Sequence, residues 1–84
     1  MSQTQITLAE ALELMADAFN EPLDNVRPDT TRDAIPGWDS MGALMLIAEL
    51  DERFGIELSA ETSREMRRVQ HVLDFLGQHG ALSA

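Results

Sequence analysis

Residues 37–58 read Gly37-Trp-Asp-Ser-Met-Gly-Ala-Leu-Met-Leu-Ile-Ala-Glu-Leu-Asp-Glu-Arg-Phe-Gly-Ile-Glu-Leu58. Asp39 is a good N-cap and Gly55 a good C-terminal stop, so a helix is expected from Asp39-Ser40 to Phe54-Gly55. At about 100° per residue, Ala43, Leu46, Ile47, Leu50 and Phe54 share one narrow face, long enough to be a core stripe. Met41, Leu44, Met45 and Ala48 gather on roughly the opposite face. A surface helix in a chain of 84 residues does not readily bury both faces. An exposed methionine-containing patch, rimmed by Glu49 and Glu52, suits docking of a partner. The alternative is that a short neighbouring helix or a loop covers the patch, with Leu44 its most buried member.

The pattern continues on both sides of this helix. Thr7 and Glu10 form a capping-box pattern that starts a first helix running to about Phe19. Leu8, Leu12, Met15 and Phe19 are its expected stripe. Glu21-Pro22 stops it, because a residue before proline is pushed out of the helical region. A long first loop, Asn20 to Trp38, carries Pro22, Pro28, Pro36 and Gly37; Val26 and Ile35 are its expected anchors. Loops of this length in a small domain are often functional. A short helix is expected over Ala60 to Met66, with Thr62 and Glu65 as a second capping-box pattern within it. A last helix follows from Val69 to about Gln78, with Val69, Val72, Leu73 and Leu76 inward and Gly80 closing it. No segment alternates as a strand would. The fold class is therefore all-α, a four-helix bundle with three longer helices, one short helix and a long first loop. A single domain is expected over 1–84, with a core of about 5–79.

Composition narrows the function. The chain holds 15 acidic residues against 6 basic ones, all Arg, for a net charge of -9. Residues 1–54 hold 11 acids against 3 Arg, so most of the negative charge lies there. Nucleic acid and anionic membranes are bound through basic patches, and the only local one is Arg64, Arg67 and Arg68. No apolar run is long enough for membrane insertion. Residues 1–5 lack the basic start and apolar stretch of a signal peptide, so a cytoplasmic location is expected. There is no cysteine, which removes disulfides, thiolate metal sites and thiol catalysis together. Any thiol chemistry needs an attached group.

Ser40 follows a Pro-Gly-Trp-Asp turn at a helix start, where its hydroxyl is exposed. Free N–H groups and the helix dipole favour an anion there, so a phosphate ester on Ser40 would be well placed. Asp39 caps the same turn. A nucleophilic enzyme is not expected, since the two histidines, His71 and His79, lie in or near the last helix. Taken alone, Asp-Ser is only a cap signal.

The whole window is more specific. Asp39-Ser-Met, the apolar helix, Asp51-Glu-Arg-Phe-Gly-Ile-Glu-Leu58 and Val69-Gln-His-Val-Leu-Asp-Phe-Leu76 together resemble the acyl carrier protein family, over nearly the whole chain. The resemblance implies that Ser40 carries covalent 4'-phosphopantetheine, a phosphodiester added from coenzyme A by a phosphopantetheinyl transferase. The arm's thiol would hold acyl or aminoacyl groups as thioesters. It would receive them from an acyl- or aminoacyl-loading enzyme and deliver them to a downstream synthase or transferase. Asp39 would help present Ser40 to the transferase. The chain itself would be no enzyme, and a monomer is expected.

Many fatty-acid carriers have acids soon after the motif serine, at positions that look like Gly42 and Met45 here. That departure, Asp-Ser-Met-Gly and the preceding Trp38 resemble specialised stand-alone, polyketide, peptide-synthetase or D-alanyl carriers more than the housekeeping fatty-acid type. Arg68 stands where a Ser or Thr cap often opens the last helix. A non-carrier helical interaction module, with Ser40 only a cap, is the alternative function. Trp38 either packs the loop or touches the arm or a partner. Arg64, Arg67 and Arg68 either form a solvated face paired with nearby acids or confer partner choice. His71 and His79 lack a third ligand, and Asp29 and Asp33 lack calcium-loop spacing, so no metal is assigned.

Overall fold

A computed structural model describes residues 5–83. It contains α1 (Leu8–Phe19), α2 (Ser40–Phe54), α3 (Ala60–Glu65) and α4 (Val69–Gln78), with two single 3-10 turns, Leu23–Asn25 and Arg32–Ala34, in the first loop. The four-helix plan with one short helix is as expected. Among the described residues strand pairing is limited to two isolated bridges, Ile6 with Leu82 and Thr31 with Arg68.

Local chemistry explains most boundaries. Thr7 and Glu10 close the capping box reciprocally: Thr7 Oγ1 accepts from Glu10 N at 3.1 Å, and Glu10 Oε1 accepts from Thr7 N at 2.9 Å. Asn20 ends α1 in the left-handed region, φ 53°, just before the expected Glu21-Pro22 stop. Gly55 ends α2 at φ 67°, its N–H reaching Asp51 O, while Ile56 N reaches Leu50 O at 3.3 Å. These paired bonds satisfy carbonyls that the helix end would leave free.

α3 starts at Ala60 as expected, but the Thr62 and Glu65 pattern inside it is not the cap: Ser59 is, its Oγ accepting from Thr62 N at 3.1 Å. The helix also stops at Glu65, and Met66 turns its side chain into the core. Burial of Met66 is worth more than another residue of a six-residue helix that cannot stand alone.

The buried stripes are also rotated. On α1, Met15 and Phe19 are buried as expected, but Leu12 is only half-buried and Leu8 is exposed. Ala11, Leu14, Ala16 and Ala18 take the inward positions instead. Alanines on that face allow the close approach of α2, the helix α1 contacts most. On α2 the fully inward line is Gly42, Leu46 and Leu50; Ala43, Ile47 and Phe54 are half-buried at its side. On α4 the expected stripe holds throughout, with Val69, Val72, Leu73 and Leu76 all buried.

The first loop is part of the core. Val26 and Ile35 are buried, and Trp38 is buried and stacked on Phe19 at 4.7 Å between ring centroids. Trp38 thus packs the loop against the helices rather than standing free. At the other end Ala81 is buried, and Ile6 N donates to Ala81 O while Ser83 N donates to Ile6 O, both at 2.9 Å.

Candidate functional site

Ser40 is the first residue of α2 and is exposed. Asp39 precedes it in an extended conformation, and its Oδ1 accepts from Gly42 N at 3.0 Å. Among the described residues nothing accepts from the N–H groups of Ser40 and Met41, and Ser40 Oγ has no partner. An open helix start with an accessible hydroxyl fits a covalently attached anion.

Packing behind this turn holds it in place. A Cβ at Gly42 would collide with Gly37 O and press on Phe19, and one at Gly37 would collide with Phe19 O. The end of α1, the last turn of the loop and the first turn of α2 therefore meet backbone to backbone. No acidic side chain fits at Gly42, so of the two departures after Ser40 only Met45 bears on the partner surface.

The patch on the opposite face of α2 is open. Met41, Leu44 and Met45 are 67%, 59% and 46% exposed, and Ala48 is exposed beside them. Leu44, expected to be the most buried member, is instead more exposed than Met45. It lies about 200° around the helix from both Gly42 and Leu46, two residues away on either side. Glu52 is exposed at the rim, whereas Glu49 is half-buried and paired with Arg53 Nε at 2.8 Å.

A groove of about 230 Å³ opens beside Ser40 between α2 and α3. Ala43, Leu44 and Ile47 of α2 line it, with Ala60, Ser63 and Arg64 of α3 and Arg32 of the loop. Arg32 is half-buried; its Nε donates to Trp38 O at 3.3 Å and its Nη1 to Ser63 O and Met66 O at 3.3 and 3.4 Å. The guanidinium also lies over the Trp38 ring, 5.5 Å from its centroid. The sequence reading missed Arg32 and Ser63, because only the fold brings residues so distant in sequence beside Ser40.

Arg64, Arg67 and Arg68 are exposed as expected, but they are not paired with acids: among the described residues the one ion pair is Arg53–Glu49. The acids near them in sequence do not come within reach. His71 and His79 are exposed; His71 Nδ1 accepts from Arg67 N at 3.0 Å, and the His79 ring tilts against Phe75.

Comparison with known proteins agrees with this geometry. The profile of the family described as "Phosphopantetheine attachment site" matches residues 9–76. The acyl carrier protein of Thermosynechococcus vestitus is 32% identical over 76 residues, covering 90% of this chain and 93% of that protein. The acyl carrier protein of Solidesulfovibrio magneticus is 30% identical over 64 residues, covering 76% and 82%. The fold and site are those of a carrier domain, and the chain belongs to the acyl carrier protein family. It is a carrier rather than an enzyme, and the group it bears is covalent 4'-phosphopantetheine. No helix among the described residues is long and apolar enough to cross a membrane.

Proposed function

We propose that Ser40 is the attachment residue and that the arm's thiol carries acyl or aminoacyl groups as thioesters between partner enzymes. The supporting observation is the exposed Ser40 hydroxyl on an open helix start, inside the matched family region. In the loading step Ser40 Oγ bonds to the pantetheine-bearing phosphorus of coenzyme A, and the adenosine bisphosphate half leaves. The Ser40 proton goes to a base of the phosphopantetheinyl transferase, since His71 and His79 belong to α4 and its end. Asp39 holds the turn that offers Ser40.

Met41, Leu44 and Met45, with Glu52 and the paired Glu49 at the rim, form the surface met by the transferase, an acyl- or aminoacyl-loading enzyme and a downstream synthase or transferase. Met45 in place of a charged residue favours partners with an apolar docking patch, and hence a specialised carrier over a housekeeping fatty-acid one. One carrier unit, extending from the expected 5–79 to the packed Leu82, acts as a monomer in the cytoplasm, where coenzyme A is at hand.

The test is an intact mass after incubation with coenzyme A, magnesium and several phosphopantetheinyl transferases. A gain of one phosphopantetheine is expected, absent in Ser40→Ala; no gain with any transferase refutes the assignment. Met45→Glu is expected to weaken partner binding while leaving the melting temperature nearly unchanged, because Met45 is on the exposed face.

A further inference from the structure

The apolar patch of α2 has borders of opposite charge. Glu49 and Glu52 stand on one side of it. Arg64 stands on another, since Leu44 and Arg64 line the same groove. Arg67 and Arg68 follow in the joint between α3 and α4, and both are exposed. Hydrogen bonds tie this joint to the Ser40 end of the bundle: Arg32 N donates to Arg67 O at 2.7 Å, and Arg32 Nε donates to Trp38 O, two residues before Ser40. Thr31 and Arg68 form a bridge beside them. Half of the 6 basic residues thus share one edge of a chain of net charge -9.

The fold makes no use of these three charges. Among the described residues none of them is in an ion pair, and Arg67 takes part in side-chain bonding only through its main-chain N–H. Glu65 belongs to a different side of α3, where it lines a depression with Met66 and His71. Asp33 and Glu61 are exposed without reaching an Arg. Arg68 even opposes the fold, because a cation at a helix start is disfavoured by the dipole. Its position needs no capping side chain, since Thr30 O and Pro28 O already accept from Val69 N and Gln70 N. A long cationic side chain kept there serves something outside the chain.

We propose that the Arg64, Arg67 and Arg68 edge receives carboxylates of a partner enzyme, whose docking face is apolar at its centre and acidic on the α3 side. Guanidinium groups pair with carboxylate and with phosphate. The adjoining Met41, Leu44 and Met45 patch favours a protein surface as the source of the anions. Exposed ion pairs add little affinity singly. Around an apolar centre they speed encounter and fix orientation. With acids on one border of the patch and arginines on another, one orientation of the partner matches both. The large negative net charge therefore does not make every partner surface basic: beside α3 the polarity is reversed.

The inference rests on the docking role proposed for Met41, Leu44 and Met45, and the experiment separates the two. Two synthetic amphipathic helical peptides share one leucine face; one carries Glu on both flanks, the other Gln. Each is titrated by NMR into the unmodified wild type and into the double variant Arg64→Glu, Arg68→Glu, whose folding is checked by its melting temperature. In the wild type the Glu peptide shifts the Nε signals of Arg64, Arg67 and Arg68 together with the side-chain signals of Met41, Leu44 and Met45. Its Kd rises roughly tenfold in the double variant, because attraction becomes repulsion. The Gln peptide binds both proteins equally. A Glu peptide that binds no more tightly than the Gln peptide, or equally to both proteins, overturns the acidic edge while the apolar docking face stands. Arg signals that move without the patch overturn the docking face and the proposal together. Adenosine 3',5'-bisphosphate is the phosphate control: if it moves the three Arg signals and the Glu peptide does not, the edge serves phosphate and the proposal fails.

Discussion

The starts of α2 and α4 are finished in opposite ways. At α2 one side chain, Asp39, takes one N–H, and those of Ser40 and Met41 are left without acceptors among the described residues. At α4 the first loop closes the end: Val69 N donates to Thr30 O and Gln70 N to Pro28 O, each at 2.9 Å, and His71 N donates to Arg68 O. His71 Nδ1 even reaches back to Arg67 N, as an acidic residue does in a capping box. One helix start is closed by the fold, and the other keeps N–H groups without acceptors among the described residues, at the residue proposed for attachment. The difference teaches where to look for a modification: at the helix start that the protein declines to cap fully, provided rigid packing stands behind it.

That packing is the most exposed point of the comparison, and two helical glycines break or confirm it with opposite signs. At Gly42 a methyl group collides with main chain at Gly37, so something larger than a side chain must move. Overpacking of this kind costs about 1–3 kcal/mol, against a helix-propensity gain of about 1 kcal/mol for leaving glycine. Gly42→Ala is expected to lose about 2 kcal/mol in chemical denaturation, the clash with backbone putting it at the high end. Its loading rate should fall as well, because the turn holding Ser40 shifts. At Gly77, near the end of α4, nothing lies within 4 Å of an added Cβ. Gly77→Ala is expected to gain about 0.4–1 kcal/mol. Equal effects at the two sites would mean that α2 is no more tightly backed than α4.

Asp39→Ala removes the one side-chain cap of α2, and the expected loss is about 1 kcal/mol. Asp39→Asn keeps an oxygen acceptor and should lose much less, since the two residues cap about equally well. Denaturation midpoints measure both. If Asn and Ala lose the same amount, the hydrogen bond to Gly42 N is not what holds the turn. If Asn keeps stability but loads slowly, the carboxylate charge is read by the transferase.

The two starts also differ in how much of them the sequence exposes. Asp39 and Gly55 act on neighbours a few residues away, so the two ends of α2 were legible, as was the stripe of α4. The inward line of α2 lies instead on Gly42, Leu46 and Leu50, with Ala43, Ile47 and Phe54 only half-buried beside it. The open Met41, Leu44 and Met45 face followed from the same helical spacing. The cap of α4 was not legible, because Pro28 and Thr30 are about forty residues from the groups they accept from, and main-chain carbonyls carry no sequence signal. The groove was hidden for a related reason: Arg32, Ser63 and Arg64 converge on Ser40 only after the loop and α3 fold together. The rotation of the α1 stripe toward alanines shows the limit of periodicity alone. Leu8 and Leu12 match the pattern, yet close approach of two helices favours the small residues beside them.

Arg68 supplies the smallest expected effect and the sharpest test of the closed start. It occupies the cap position of α4 with no side-chain hydrogen bond, and a cation there opposes the helix dipole. Replacing it by Ser or by Ala removes the charge equally, so the difference between the two variants isolates the capping hydroxyl. An ordinary Ser cap outperforms Ala by about 0.5–2 kcal/mol because it satisfies an N–H that would otherwise lack a partner in the protein. Here the N–H groups of Val69, Gln70 and His71 already have acceptors. Arg68→Ser and Arg68→Ala are therefore expected to agree within about 0.5 kcal/mol in denaturant unfolding, the range of a surface substitution that touches no special feature. A Ser variant more stable than the Ala variant by about 1 kcal/mol or more, as a working cap would be, would show that the loop carbonyls leave α4 open in solution. The two helix starts would then differ only in their side chains, and the reservation of α2 for the arm would lose its structural basis.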